Sequence, residues 1–163
     1  KFDVVALGGT FDHLHSGHKI LLTMASFLSN QKIIVGVTDD NLLINKKYKS
    51  ELQTLEERTR SVQNFINLIS QNSLEISTVP LKDLYGPTAS DPNIQALIVS
   101  YETISGADQI DEIRLKNGFN TLERFVIDLM INANDNQVDD SDQEMKEVKI
   151  SSTEIRKWIY DQK

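Results

Sequence analysis

The chain has 163 residues, 39% of them hydrophobic. That suits one domain with its own core, and no apolar run approaches the roughly 18 residues a membrane-spanning helix needs. The absence of cysteine removes disulfides, thiolate zinc sites, iron–sulfur clusters and a cysteine nucleophile. The net charge of −7 argues against any general attraction for nucleic acid or anionic lipid, so a bound anion must be held by a local cluster.

In chain order, Lys1–Leu7 reads as a strand broken by Gly8-Gly9-Thr10, not as a signal peptide. The start at Lys1 without Met suggests a piece of a longer protein, and the lack of cysteine and of a targeting signal suggests the cytoplasm. From Gly17, the spacing of Ile20, Leu21, Met24, Ala25, Phe27 and Leu28 predicts a helix. Lys32–Thr38 is a β-branched second strand, and Asp39–Gln53 is a polar loop carrying Lys46, Lys47 and Lys49. Thr54 and Glu57 form a capping box for a helix whose inner face is Val62, Phe65, Ile66 and Ile69. Glu57, Arg58 and Arg60 read as its surface charges, with Arg58 able to turn inward.

Leu74–Leu81 is a third strand, Tyr85–Pro92 a loop, Ala96–Ser100 a fourth strand and Ser105–Asn117 a helix stopped by Gly118. Phe125–Ile131 is read as a fifth strand. A flexible acidic insertion follows at about 132–147, with six acids against Lys146. Ser151 or Ser152 then caps a last helix, with Trp158 expected to pack on the sheet. Strands alternating with helices predict a Rossmann-like α/β fold: an open five-stranded parallel sheet with helices on both faces, in one domain over 1–163. Ligands of such sheets sit beyond the carboxyl ends of the strands, so the loops after strands one and four should share a pocket.

All three histidines, His13, His15 and His18, lie within six residues between the first strand and the first helix. Gly8 and Gly9 remove side chains where backbone must approach a ligand, Thr10 offers a hydroxyl, and Gly17 allows close passage of the chain. His18 sits in the first helical turn, where free amides and the helix dipole attract phosphate and an imidazole can stabilise developing charge.

Gly8-Gly9-Thr10-Phe11-Asp12-x-x-His15-x-Gly17-His18 resembles the signature of the nucleotidyltransferase superfamily with the His-x-Gly-His motif. Ile150-Ser151-Ser152-Thr153-x-x-Arg156 resembles that superfamily's second motif. Three further segments resemble eukaryotic-type phosphopantetheine adenylyltransferases: Val37-Thr38-Asp39 with Lys46, Tyr85-Gly86-Pro87 with Ser90-Asp91-Pro92, and Val99-Ser100-x-Glu102-Thr103-x-x-Gly106.

The resemblance implies that the phosphate of 4′-phosphopantetheine attacks the α-phosphorus of ATP. Dephospho-CoA and pyrophosphate form, and Mg²⁺ arrives on ATP, not in a protein cage. By motif position, His18 stabilises the transferring phosphoryl group, Thr10 orients the attacking phosphate, and Lys46 bridges it to the nucleotide. Gly8, Gly9, Phe11, His15 and Gly17 would bind nucleotide, and so would Ser151, Ser152, Thr153 and Arg156. Glu102 and Gly106 would line the adenosine side, and Tyr85 the acceptor. The bacterial enzymes' Arg-Gly-x-Arg is replaced by Ser100-Tyr101-Glu102-Thr103, so Arg114, or Lys47 or Lys49, is the expected source of positive charge for the acceptor. Partners would be the two small molecules and other enzymes of coenzyme A synthesis, fused or in complex.

Competing readings stand beside these. A Gly-Gly-Thr turn is often only a turn, Ser151-Ser152-Thr153 is a good cap whatever the function, and Lys46-Lys47-x-Lys49 alone is a solvated loop. The histidines could hold zinc, but no carboxylate partners them, and His13 reads as a solvent-facing bystander. Rival functions are transfer to nicotinamide mononucleotide or flavin mononucleotide, cytidylyl transfer to glycerol phosphate or phosphocholine, and a non-catalytic nucleotide-binding domain.

Overall fold

The computed structural model describes residues 1–128 and 151–163. Its strands are β1 (Phe2–Gly9), β2 (Ser29–Thr38), β3 (Glu75–Leu81), β4 (Ala96–Ser100) and β5 (Glu123–Ile127). They lie in the order β3-β2-β1-β4-β5, every pair parallel. The helices are α1 (Ser16–Leu28), α2 (Leu55–Ser70), α3 (Ile104–Lys116) and α4 (Ser152–Asp161). Alternate residues of the central strands feed two cores. Val5, Leu7, Ile33, Val35, Val37 and Ile98 pack with α1 and α2. Ala6, Ile34, Leu97 and Val99 pack with α3 on the other face. Burial on both faces explains the unbroken apolar runs of β2 and β4. Strand order reverses between β1 and β4, which opens a cleft at their carboxyl ends.

Several boundaries differ from the sequence reading. The glycines do not end β1: Gly8 pairs with Gly36 and Gly9 with Val37. Leu81 packs over Gly8 and Gly36, and Phe11 over Gly9, where side chains would crowd them. A Cβ on Gly36 would lie 2.6 Å from Leu81.

Helix α1 buries Leu21, Leu22 and Ala25, whereas Ile20 and Phe27, seven residues apart on another stripe, are 50% and 65% exposed. The Thr54–Glu57 capping box forms as expected, with Thr54 N donating to Glu57 at 2.8 Å and Glu57 N to the Thr54 hydroxyl at 3.2 Å. Its helix, α2, buries Arg58, Val62 and Ile66 at four-residue spacing and leaves Ile69 at the surface. β5 is described over Glu123–Ile127, two residues ahead of its expected start; the acidic tract at 132–147 lies outside the described residues. Trp158 is 66% exposed and does not pack on the sheet. Helix α4 instead sits over the 3-10 turn Lys49–Glu51 and the β1–α1 loop, with Arg156 as its buried side.

Arg114, expected to meet the acceptor, has another task. It is 1% exposed, and its guanidinium donates to the carbonyls of Thr88 (2.7 Å), Asp91 (2.8 Å), Ile94 (3.2 Å) and Asn120 (2.7 Å). Carbonyls of the β3–β4 loop are left unpaired by regular structure, and the planar five-donor fork of Arg satisfies several at once. Arg114 therefore fixes the loop that carries Tyr85 and does not itself line the cavity described below.

Candidate active site

The β1–α1 loop turns sharply. Phe11 and His13 both have left-handed backbones, φ 53 and 46, a conformation costing a bulky residue about 1–3 kcal/mol. Tertiary contacts hold it. Phe11 is 1% exposed, its ring packed against Gly9 and 5.4 Å from the His18 ring. Asp12, between the two strained residues, is fully buried. One of its carboxylate oxygens accepts from Gln53 N at 2.9 Å, the other from Arg156 at 2.6 Å. His13 is not a solvent-facing bystander: its Nε2 donates to the Glu51 carbonyl at 2.6 Å, and its backbone N donates to Gln53 at 2.7 Å. Buried Arg58 holds the carbonyls of Thr10 (2.9 Å) and Thr38 (2.8 Å), joining the ends of β1 and β2, and pairs with Asp40 at 2.7 Å.

The histidines themselves cap α1. His15 is the N-cap, and its Nδ1 accepts from Gly17 N at 3.2 Å. His18 Nδ1 accepts from His15 N at 3.3 Å, and the two rings stack at 3.8 Å. A backbone N–H can only donate, so each Nδ1 is an acceptor and each neutral ring carries its proton on Nε2. Loss of solvent, and then neighbouring His15, lower the pKa of His18 to about 3. Burial also lowers that of His15, against the opposing charge of Asp12. Both rings are thus neutral Nε2–H donors near neutral pH. The first turn of α1 holds no acid, so the helix does not compensate its positive end with a residue of its own.

The start of α4 meets this loop. The Ser152 hydroxyl donates to the Asp12 carbonyl at 2.7 Å, so it is engaged by the protein and not offered to phosphate as the motif implied. Ser151 is the N-cap, its hydroxyl oxygen accepting from Glu154 N at 3.3 Å. The Thr153 hydroxyl accepts from Arg156 at 3.1 Å, which leaves its own hydrogen to donate. Arg156 is 2% exposed and engaged with Asp12, Thr153 and the Lys47 carbonyl (3.0 Å); it braces the site from beneath instead of facing a nucleotide. The Lys47 bond anchors the lysine loop to α4, and the neighbouring Lys46 is exposed.

On the α3 face, at the carboxyl ends of β1, β2 and β4, lies a cavity of about 360 Å³. Its floor is Gly8, Gly36 and Leu81, and its walls include Leu84, Val99 and Ile110. Tyr85, Glu102 and Gly106 all line it, so the structure groups residues that motif position divided between acceptor and adenosine. The Tyr85 hydroxyl donates to Gln109 at 2.8 Å across the space. Gly86 is left-handed (φ 51), and a Cβ there would fall 2.3 Å from Leu81. Asp12 and Arg58, which motif reading leaves without a site role, are both fully buried supports. The four-residue stripe Arg58, Val62, Ile66 was the available signal for Arg58.

Residues 6–158 match the cytidylyltransferase-like family. A Saccharomyces cerevisiae protein named phosphopantetheine adenylyltransferase is 43% identical over 98% of this chain, and the chain spans about half (49%) of that relative's length. A Methanopyrus kandleri protein of the same name is 36% identical over 86% of this chain and 88% of its own. Among solved structures, an Archaeoglobus fulgidus protein of unknown function superposes with a TM-score of 0.64 at 30% identity, covering 78% of this chain and 99% of its own.

Proposed function

Because the chain belongs to the cytidylyltransferase-like family, we propose that it transfers AMP from ATP to 4′-phosphopantetheine, giving dephospho-CoA and pyrophosphate. One observation carries the reading: the Ser152–Asp12 bond of 2.7 Å ties the start of α4 to the β1–α1 loop, three residues before the His15 cap of α1, so that both helix starts can serve a single polyphosphate. Relatives named phosphopantetheine adenylyltransferase cover 98% and 86% of the chain.

In this reading an oxygen of the 4′-phosphate attacks the α-phosphorus in line, and the bond to the α,β-bridging oxygen breaks as pyrophosphate leaves. A phosphate is already an anion, so no general base is required; positioning and charge stabilisation do the work. The Nε2–H groups of His15 and His18 donate to phosphoryl oxygens with the α1 amides behind them, and His18 meets the charge that builds at the α-phosphorus. Thr10 and Lys46 hold the attacking phosphate, and Ser151, Thr153 and the α4 amides hold the β- and γ-phosphates. Gly8, Gly9 and Gly17 give the nucleotide backbone without bulk.

The largely apolar cavity takes the pantetheine arm, with Tyr85 and Gln109 available to its amides. In this reading Mg²⁺ arrives on ATP, with phosphate oxygens and water as ligands. The same reading makes the protein cytoplasmic, where it works beside other enzymes of coenzyme A synthesis, fused or in complex. Among the described residues no helix is long and apolar enough to cross a membrane.

The test is pyrophosphate release from ATP with 4′-phosphopantetheine, run beside nicotinamide mononucleotide and flavin mononucleotide, and beside CTP with glycerol phosphate or phosphocholine. Turnover with phosphopantetheine alone is expected, with His18→Ala lowering kcat by about 100-fold or more. A different preferred acceptor, or a His18→Ala variant with wild-type turnover, refutes the assignment.

A further inference from the structure

We propose that Asp12 and Arg156 form a positioning pair that locks the imidazoles of α1 and the hydroxyls of α4 into one rigid phosphate site. The proposal rests on the adenylyl-transfer reading but reaches residues which that chemistry does not use. Asp12 is 0% and Arg156 2% exposed, and neither lines the cavity, so both act through their neighbours.

The three nitrogens of the guanidinium each hold a different segment: Nη1 the Asp12 carboxylate at 2.6 Å, Nη2 the Thr153 hydroxyl at 3.1 Å, Nε the Lys47 carbonyl at 3.0 Å. One planar side chain thereby sets the β1–α1 loop, the start of α4 and the lysine loop in mutual register. A lysine ammonium cannot reproduce that fork. Asp12 sits between left-handed Phe11 and His13, and its other oxygen holds Gln53 N while its carbonyl takes the Ser152 hydroxyl. Strain of this kind persists only where surrounding contacts over-determine it. Releasing Asp12 lets the loop relax, and the His15 cap, three residues on, moves with it.

The decisive experiment compares wild type with Asp12→Asn, Arg156→Lys and the double variant Asp12→Asn/Arg156→Gln. For each folded variant, kcat for pyrophosphate release is expected to fall about tenfold or more. The acceptor KM should rise by clearly less than kcat falls, because the cavity that takes the pantetheine arm is untouched even though the lysine loop is loosened. Independently of turnover, the nitrogen-15 spectrum of the substrate-free protein should show His15 and His18 passing from a single Nε2–H tautomer to a mixture. A purely structural pair would lower the melting temperature alone; kcat per folded molecule within twofold of wild type, with unchanged imidazole signals, overturns the proposal. So does an acceptor KM that rises in step with the loss of kcat. If a single variant does not fold, the double variant, which leaves no buried charge unpaired, decides. If wild type makes no dephospho-CoA, the reaction assignment fails while the imidazole spectra still test the pair.

Discussion

At the scale of single residues, the site depends on where protons sit. Two backbone N–H groups face the Nδ1 atoms of His15 and His18, and both rings therefore carry their N–H on Nε2 without being charged. Their neutrality has a consequence for stability. The folded pKa of His18 is about 3, whereas an unfolded histidine titrates near about 6.5. As pH falls below that value the unfolded chain takes up the proton first, so this group's contribution is complete above pH ~6.5 and lost progressively toward pH ~3. Urea unfolding between pH 7.5 and 4.5 should show a shallower loss in His18→Asn than in wild type. The slopes should differ by up to about 1.4 kcal/mol per pH unit, the limit for one proton. Identical slopes would mean that the ring is not held neutral by the fold.

At the scale of elements, helix starts differ in what they can bind. Helix α2 carries Glu56 and Glu57 in its first turn and closes it with a capping box, which compensates its own dipole. Helix α1 has no acid there and is capped by two imidazoles, so its field remains available to a ligand. β2 and the β3–β4 loop meet through Leu81, which fills the space left by Gly36 and Gly86. A methyl at position 36 must displace Leu81 toward the cavity. Gly36→Ala is expected to cost about 1–3 kcal/mol of stability through overpacking. Steady-state kinetics should show a higher acceptor KM with the KM for ATP little changed. An unaltered acceptor KM would place the acceptor elsewhere.

At the scale of the whole molecule, the reversal of strand order between β1 and β4 opens the cleft at their carboxyl ends, and Arg58 and Arg114 hold loops around it. A ligand bound only by the folded form stabilises it by about 2.7 kcal/mol at 100 times its Kd. For a domain of this size that corresponds to a rise of roughly 5–10 °C in melting temperature with saturating Mg²⁺-ATP. No shift would separate the two helix starts from nucleotide binding.

Much of this was legible along the chain because it is local. Apolar periodicity located β4 to the residue and α1, α2 and α3 to within a residue or so, and Thr54 with Glu57 announced the start of α2. The histidine and serine motifs fall at the starts of two helices, α1 and α4, as read. Partner choice was not local. Ser152 spends its hydroxyl on Asp12, Arg156 and Arg58 turn inward, Arg114 rivets a loop, Trp158 remains in solvent, and Tyr85 joins Glu102 in one cavity. For these buried groups the partner comes from elsewhere in the chain, 144 residues away for Asp12 and Arg156. Short-range pattern determined the helices, strands and motifs; only packing of the sheet decided which polar groups turn inward to hold the loops and which stay at the surface.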